Sequence, residues 1–447
     1  MDAATLAEAL ADEHPQLRTE FDALAAHRDH LAPGPAVVLE DSADIPLIDR
    51  LPAAEGFQLR ARIRAGDGDL VLANPRPPRG FEEYYADRLG LGRVRWLHPG
   101  AGLELSASTL RSDACMRELV ERARAGGLHV KPYLASEAVW DLVTALSRAA
   151  GAPLPVAGPP PHLCALANDK TWFLPVAARL LGEDSVPPFR VARSERELSQ
   201  ALTDLPARHV AIRVPTSTAG LGLHMVDTSP PPLVTPPTAP LTPDDLPALV
   251  IGWLEPVLAS PSVHLWIPPL HHGDPTCDGV ILQTFSDPLG TRFSGGVTAS
   301  LPHPVDARLR SHSLALARLL QLLGYVGRCS LDFILVGDHL EDAAMLCVDC
   351  NARWGGASVV VSLVRAVHGR AHRPFAFGFL YDDRLKDADL GELISRLGVG
   401  PDDLIVYNAG CMEGAGRLDV AVLADSPQQA MGRLRNDIPT LLDKALQ

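Results

Sequence analysis

The chain has 447 residues, 47% apolar and 21% charged, which suits two to four globular domains and excludes a disordered chain. A net charge of −14 makes most of the surface repel a phosphate backbone and excludes nucleic acid as a partner. No stretch approaches the ~20 consecutive apolar residues of a membrane span, and Met1-Asp2-Ala3-Ala4 opens no secretory signal, so a cytoplasmic location without membrane contact is expected.

In chain order, residues 1–31 read as one or two amphipathic helices broken near Pro15. Short apolar runs follow at 36–39, 70–72, 94–97 and 128–130, with helical patterns at 110–125 and 137–150. Strand alternating with helix predicts a small α/β domain. The Pro- and Gly-rich stretch 151–161 is a boundary. Beyond it, 162–181 is predicted as a helix entered through Asn168-Asp169-Lys170, and strands at 187–192 and 209–214 flank a helix at 194–202. The Pro-rich tract 229–247 is expected as loop, because proline donates no backbone hydrogen bond. Strands are then predicted at 248–254, 263–267, 279–285 and 297–301, a helix at 305–323, a hairpin-like strand pair at 328–336 and 345–351, and a helix at 357–367. From about Asp387 the pattern is helix, strand 404–408, Gly turn, strand 417–423 and helix 427–441.

The strand pair carries the strongest chemical signal. Arg328, Ser330 and Asp332 share one strand face, as do Asp349 and Asn351, because strand side chains alternate with period two. Asp and Asn are poor strand formers, and such local violations concentrate at functional sites. Three oxygen donors on neighbouring strands suit Mg²⁺, which binds one or two carboxylates plus phosphate oxygens; polar edge-strand residues facing water are the bland alternative. A second signal is Arg213-Val-Pro-Thr-Ser217-Thr218-Ala-Gly220-Leu-Gly222, a strand ending in a cation before a hydroxyl- and Gly-rich loop. Backbone N–H groups of such a loop can approach phosphates closely, and an ordinary turn between strands is the competing reading. A third is Lys170, one of only four lysines (with Lys131, Lys386 and Lys444) among 40 Lys and Arg residues. A lysine that survives such compositional bias tilts from a solvated charge towards a specific task.

Other candidates are weaker. Seven cysteines, an odd number, are expected as free thiols. Cys347 and Cys350 lack a second CxxC pair, and on a regular strand they point to opposite faces, which argues against zinc or redox chemistry. His271 and His272 lie in a Gly/Pro/Asp-rich turn and are expected to be solvated. Residues 287–301, with Arg292 and Ser294-Gly295-Gly296, could line a substrate pocket or form a surface hairpin.

The order Asn168-Asp169-Lys170, Arg213 with its Gly loop, Val250-Ile-Gly-Trp-Leu-Glu255, Gly324-Tyr-Val-Gly-Arg-Cys-Ser-Leu-Asp332 and Asp349-Cys-Asn351-Ala-Arg353-Trp-Gly-Gly resembles the ATP-grasp superfamily over roughly residues 164–379. The resemblance implies an α/β (α+β) ATP-grasp fold: a Rossmann-like pre-ATP-grasp domain at 1–160, the ATP-grasp domain at 161–380 and a small C-terminal α/β domain at 381–447. It also implies an ADP-forming carboxylate–amine ligase using ATP and Mg²⁺ through an acyl phosphate. Its partners would be an amino-acid-like carboxylate and a peptide amine; a homodimer stays open.

By residue, the resemblance puts Lys170 and Arg213 on the ATP phosphates, with Ser217, Thr218, Gly220 and Gly222 as a lid over them. Ile251, Gly252, Trp253 and Leu254 would read adenine through their backbone and Glu255 would hold ribose. Asp332, Asp349 and Asn351 would hold Mg²⁺, and Arg353 and Arg328 would stabilise the acyl phosphate and oxyanion. Two positions depart from the superfamily pattern. Arg213 stands where lysine is usual and keeps the charge; Asp349 stands where Glu is usual and is one carbon shorter. Ligases of small metabolites and a non-catalytic ATP-binding protein are the competing readings.

Overall fold

The computed structural model describes residues 1–28, 34–205, 207–216, 222–228, 246–287, 290–369 and 373–447. Strands β1 (Ala36–Leu39), β2 (Leu70–Leu72), β3 (Arg95–Leu97) and β4 (His129–Pro132) form a parallel sheet of order β3-β2-β1-β4. The two inner strands β1 and β2 are apolar throughout and fully buried, as in a parallel sheet covered on both faces. The helix Glu137–Ala150 lies against it through Val139, Leu142, Val143 and Leu146, ending at Gly151 with φ +85°. Only a residue without Cβ accepts that left-handed C-terminal turn at no cost. The predicted helix 110–125 is two helices, Leu105–Arg111 and Asp113–Arg124, because Ser112 takes extended backbone angles and caps the second.

Strands β5 (Phe189–Ala192), β6 (His209–Arg213), β7 (Leu223–Asp227) and β8 (Ala248–Trp253) form an antiparallel sheet of order β5-β8-β6-β7. The third sheet has nine strands: β9 (Val257–Ala259), β10 (Pro261–Ile267), β11 (Thr276–Phe285), β12 (Phe293–Thr298), β13 (Gly327–Val336), β14 (Ala344–Asn351), β15 (Phe375–Tyr381), β16 (Leu404–Asn408) and β17 (Arg417–Leu423). Its order is β14-β13-β10-β11-β12-β15-β17-β16, with β9 on β13, all neighbours antiparallel. The helix His303–Leu322 seals one face, burying Leu309, Leu316 and Leu320 with Val263, Leu265, Leu331 and Phe333.

The predicted helix 162–181 is also two, Pro161–Asn168 and Lys170–Leu181. Asp169 breaks it: its carboxylate accepts the Thr171 N–H at 2.7 Å and caps the second helix. Strand β15 was not anticipated, although Phe375, Phe377, Phe379 and Tyr381 alternate with period two. It joins both ends of the large sheet, so the expected boundary at 380 falls inside a strand and residues 404–423 extend the same sheet. Residues 287–301 do include a hairpin connection, between the antiparallel strands β11 and β12, but Ser294-Gly295-Gly296 lies on its inner strand β12, between β11 and β15. There a Cβ on Gly295 (φ +137°) would meet the Phe377 carbonyl at 2.1 Å. Among the described residues no helix is long and apolar enough to cross a membrane.

Candidate active site

Asp332 and Asp349 are direct partners across β13 and β14, and Ser330 pairs with Asn351. Two like charges directly opposite one another are unfavourable in a sheet, so something must hold them there. A β-bulge next to the pair does part of this. Asp332 pairs with Asp349 but Phe333 with Cys347, leaving Val348 as an extra residue. The bulge also corrects the reading of the CxxC pair: Cys347 and Cys350 both turn into the same apolar core instead of to opposite faces. All seven cysteines are free.

Two cations from different elements meet Asp349. Lys170 begins its helix because Asp169 ends the previous one, and its Nζ lies 3.4 Å from Asp349 Oδ2. Arg213 ends β6 of the small sheet and reaches the large one, where Nη2 donates to Asp349 Oδ2 at 3.0 Å and Nη1 to the carbonyl of the bulged Val348 at 3.2 Å. Burial alone would raise the Asp349 carboxyl, but Lys170, Arg213 and Arg353 outweigh it and hold it below the usual carboxylate range. Burial lowers the Lys170 ammonium, with Asp349 opposing. For Asp332, burial and then the Asp349 charge push the carboxyl up to about 6.

Asn351 Nδ2 donates to Asp332 Oδ2 at 3.0 Å, while Asp332 Oδ1 is buried without a hydrogen-bond partner. A buried acceptor oxygen left unpaired is costly and fits a site that receives a cation. No three His, Cys, Asp or Glu side chains cluster as a metal site among the described residues. Two carboxylates and an amide are nevertheless enough for Mg²⁺, which keeps water or phosphate oxygens in its shell.

Asn168 entered the sequence reading only as part of the Asn168-Asp169-Lys170 run, with no role of its own. Its Oδ1 accepts from the Ala352 N–H at 3.0 Å and from Arg353 Nη1 at 2.8 Å, pinning the end of β14. Arg328 is ion-paired with Asp278, which also takes Arg365, and its guanidinium lies 5.3 Å from the Trp266 ring centre and 5.5 Å from that of Trp354. Asp278 had no signal in the sequence, because the predicted strand began one residue later at 279. Arg328, Arg353, Trp354, Tyr133 and Tyr325 line one small pocket.

The remaining predicted residues are less directly joined. Ile251 is buried, and the Gly252 N–H donates to the Pro188 carbonyl at 2.8 Å, so that donor is taken. Trp253 ends β8, Leu254 is half-buried beyond it, and Glu255 is exposed. Gly222, at φ +74°, follows the loop and approaches Val214 so closely that a Cβ would lie 2.5 Å from its methyl. Ser217, Thr218 and Gly220, like most of the Pro-rich tract, lie outside the described residues.

One buried group predicts a pH effect. His264 on β10, opposite Ser330, is 2% exposed with both ring nitrogens unpartnered. Burial, then the Arg328 charge, pushes its imidazole down to about 3. The unfolded chain binds a proton near pH 6.5 and the folded one does not, so stability falls as pH drops below 6.5, by about 1.4 kcal/mol per unit. In urea denaturation from pH 8 to 5, His264→Gln is expected to remove about 2 kcal/mol of that acid-side loss. Parallel wild-type and variant curves would rule the assignment out.

A model of the pre-ATP-grasp domain family matches residues 59–147. No curated protein matches the chain. Among solved structures, it is similar to N5-carboxyaminoimidazole synthetase from Staphylococcus aureus complexed with ADP (11% identity, TM-score 0.53, covering 92% of this chain and 98% of that one). It is similar to N5-carboxyaminoimidazole ribonucleotide synthetase from Thermus thermophilus (15%, TM-score 0.52, 88% and 92%). It is also similar to the biotin carboxylase domain dimer of Hydrogenobacter thermophilus 2-oxoglutarate carboxylase, in complex with MgADP, ADP and bicarbonate (12%, TM-score 0.52, 92% and 94%). The chain thus has a mixed α/β ATP-grasp fold with a pre-ATP-grasp domain in its N-terminal part.

Proposed function

We propose that the chain is an ADP-forming ligase that joins an amino-acid-like carboxylate to the amine of a peptide, similar to the peptide ligase of pheganomycin biosynthesis in actinomycetes. The observation that carries the reading is the convergence of Lys170 and Arg213 on the Asp332–Asp349–Asn351 cluster from separate elements. ATP with Mg²⁺ supplies the phosphoryl group that turns an unreactive carboxylate into a mixed anhydride with a good leaving group. Asp332, Asp349 and Asn351 would hold the cation; Lys170 and Arg213 would turn from Asp349 to the phosphates. Leu254 and Glu255, beyond the last paired residue of β8, are the free edge for the nucleoside. Arg353, steadied by Asn168, and Arg328, steadied by Asp278, face the pocket and would stabilise the negative oxygens that form as the amine adds and phosphate leaves. The division at 160 remains part of this proposal, with residues 381–447 as an extension of the large sheet.

A second reading comes from the neighbours, whose names include carboxylases, one of them with bicarbonate. Incubation of amino acids and short peptides with ATP, read by ADP release and mass spectrometry, separates the two. The expected result is amine-dependent ADP and a product weighing the sum of both substrates less water. ADP that depends on bicarbonate instead would replace the peptide-ligase reading with the carboxylase one.

A further inference from the structure

A second group of cations lies beyond the phosphate site. The 3-10 helix Ala54–Arg64 ends in Arg64, whose Nη2 donates to the Leu39 carbonyl at 2.8 Å and Nη1 to the Lys131 carbonyl at 3.3 Å. These carbonyls belong to the carboxyl ends of β1 and β4, which are neighbours in the order β3-β2-β1-β4. That is where the strand order reverses, and open parallel sheets take ligands outside the carboxyl ends at such a point. The Arg64 guanidinium lies 5.8 Å from the Tyr133 ring centre and 5.1 Å from that of Trp354. Tyr133 and Trp354 line the same pocket as Arg328 and Arg353.

Charge is out of balance here. Glu40 pairs with Arg60, and Asp278 serves both Arg328 and Arg365. Arg60, Arg328 and Arg365 therefore take up both of these acids, in a chain whose net charge is −14. Among the described residues Arg64 and Arg353 have no carboxylate at ion-pair distance, and the Nε–H of each is buried without an acceptor. Burial pushes the Arg64 guanidinium down to about 10, with Glu40 and Tyr133 opposing, so it stays charged at neutral pH. A half-buried cation whose Nε–H is buried without an acceptor is stabilised by a ligand that neutralises it.

The carboxylate to be activated accounts for one anion, beside Arg353. We propose that Arg64, with Tyr133 and Trp354, binds a second carboxylate that is not activated, so that one of the two substrates carries a free carboxylate besides the reacting carboxyl. This rests on the ligase reading above. The second carboxylate belongs either to a dicarboxylic acyl donor or to the amine acceptor.

The test titrates the intact chain calorimetrically with succinate and with its monoamide, succinamate. Wild type is expected to bind succinate about tenfold or more tightly, the order of one lost charge-assisted contact. Arg64→Gln is expected to bind both alike, and Arg64→Lys to recover part of the preference. A role confined to tying the strand ends would lower the thermal midpoint without touching this selectivity. Absence of succinate binding, equal affinities in wild type, or a preference kept by Arg64→Gln overturns the proposal. With a substrate pair that turns over, Arg64→Gln should raise the KM of one substrate about tenfold, and which one identifies the source; an unchanged KM for both also overturns it. Calorimetric discrimination without turnover for any pair removes the ligase reading and leaves the subsite standing.

Discussion

Asp349→Ala is expected to abolish measurable ADP formation and also to destabilise the fold. The carboxylate meets Lys170 at 3.4 Å and Arg213 at 3.0 Å, so its removal leaves two cations facing each other across the cleft. Breaking a buried pair by deleting one partner costs about 3–5 kcal/mol, which should appear as a lower urea midpoint. Loss of a metal-holding carboxylate and of the order among those cations should cost at least about 10³ in turnover, the scale of electrostatic contributions to phosphoryl transfer. Asp349→Asn keeps the volume and should recover part of the stability but not the activity. Full turnover by Asp349→Ala would sink the metal assignment.

Lys170→Met is expected to separate those two effects. Lys170 is 3% exposed and held in a charged form that burial disfavours. Methionine keeps the apolar stem and removes that cost, while Arg213 still neutralises Asp349. Stability should therefore fall by less than the roughly 3–5 kcal/mol of breaking an isolated buried pair, because Arg213 keeps the carboxylate paired. ADP formation should fall by about 10²–10³, the range for losing one preorganised electrostatic contact, with weaker ATP binding by calorimetry. A variant that keeps wild-type ATP affinity and turnover would place Lys170 in a structural role only. Comparing the two variants tells whether this cluster is built for a ligand or for the fold.

How far the site was legible depended on the kind of signal. Asp332, Asp349 and Asn351 were visible because polar side chains in apolar strands break a local preference, and the cross-strand register places them together. Lys170 was visible through scarcity, and Arg213 as a cation at a strand end. Asn168 was quoted but given no role, since its contact with Arg353 spans 185 positions. Asp278 and Arg64 carried no local signal: one sits at the start of a strand predicted too short, the other at the end of an unforeseen 3-10 helix.

Taken alone, the sequence determined most element positions, the globular composition and the polar strand face, because periodicity and composition are written locally along the chain. Tertiary structure decided the rest. It placed β15 as the bridge that merges the last segment into the large sheet, and it put the bulge at Val348 that turns both cysteines inward and offers a carbonyl to Arg213. It also settled which cations have acids and which do not. Pairing register and charge compensation act between residues far apart in sequence, and no window of neighbours contains them.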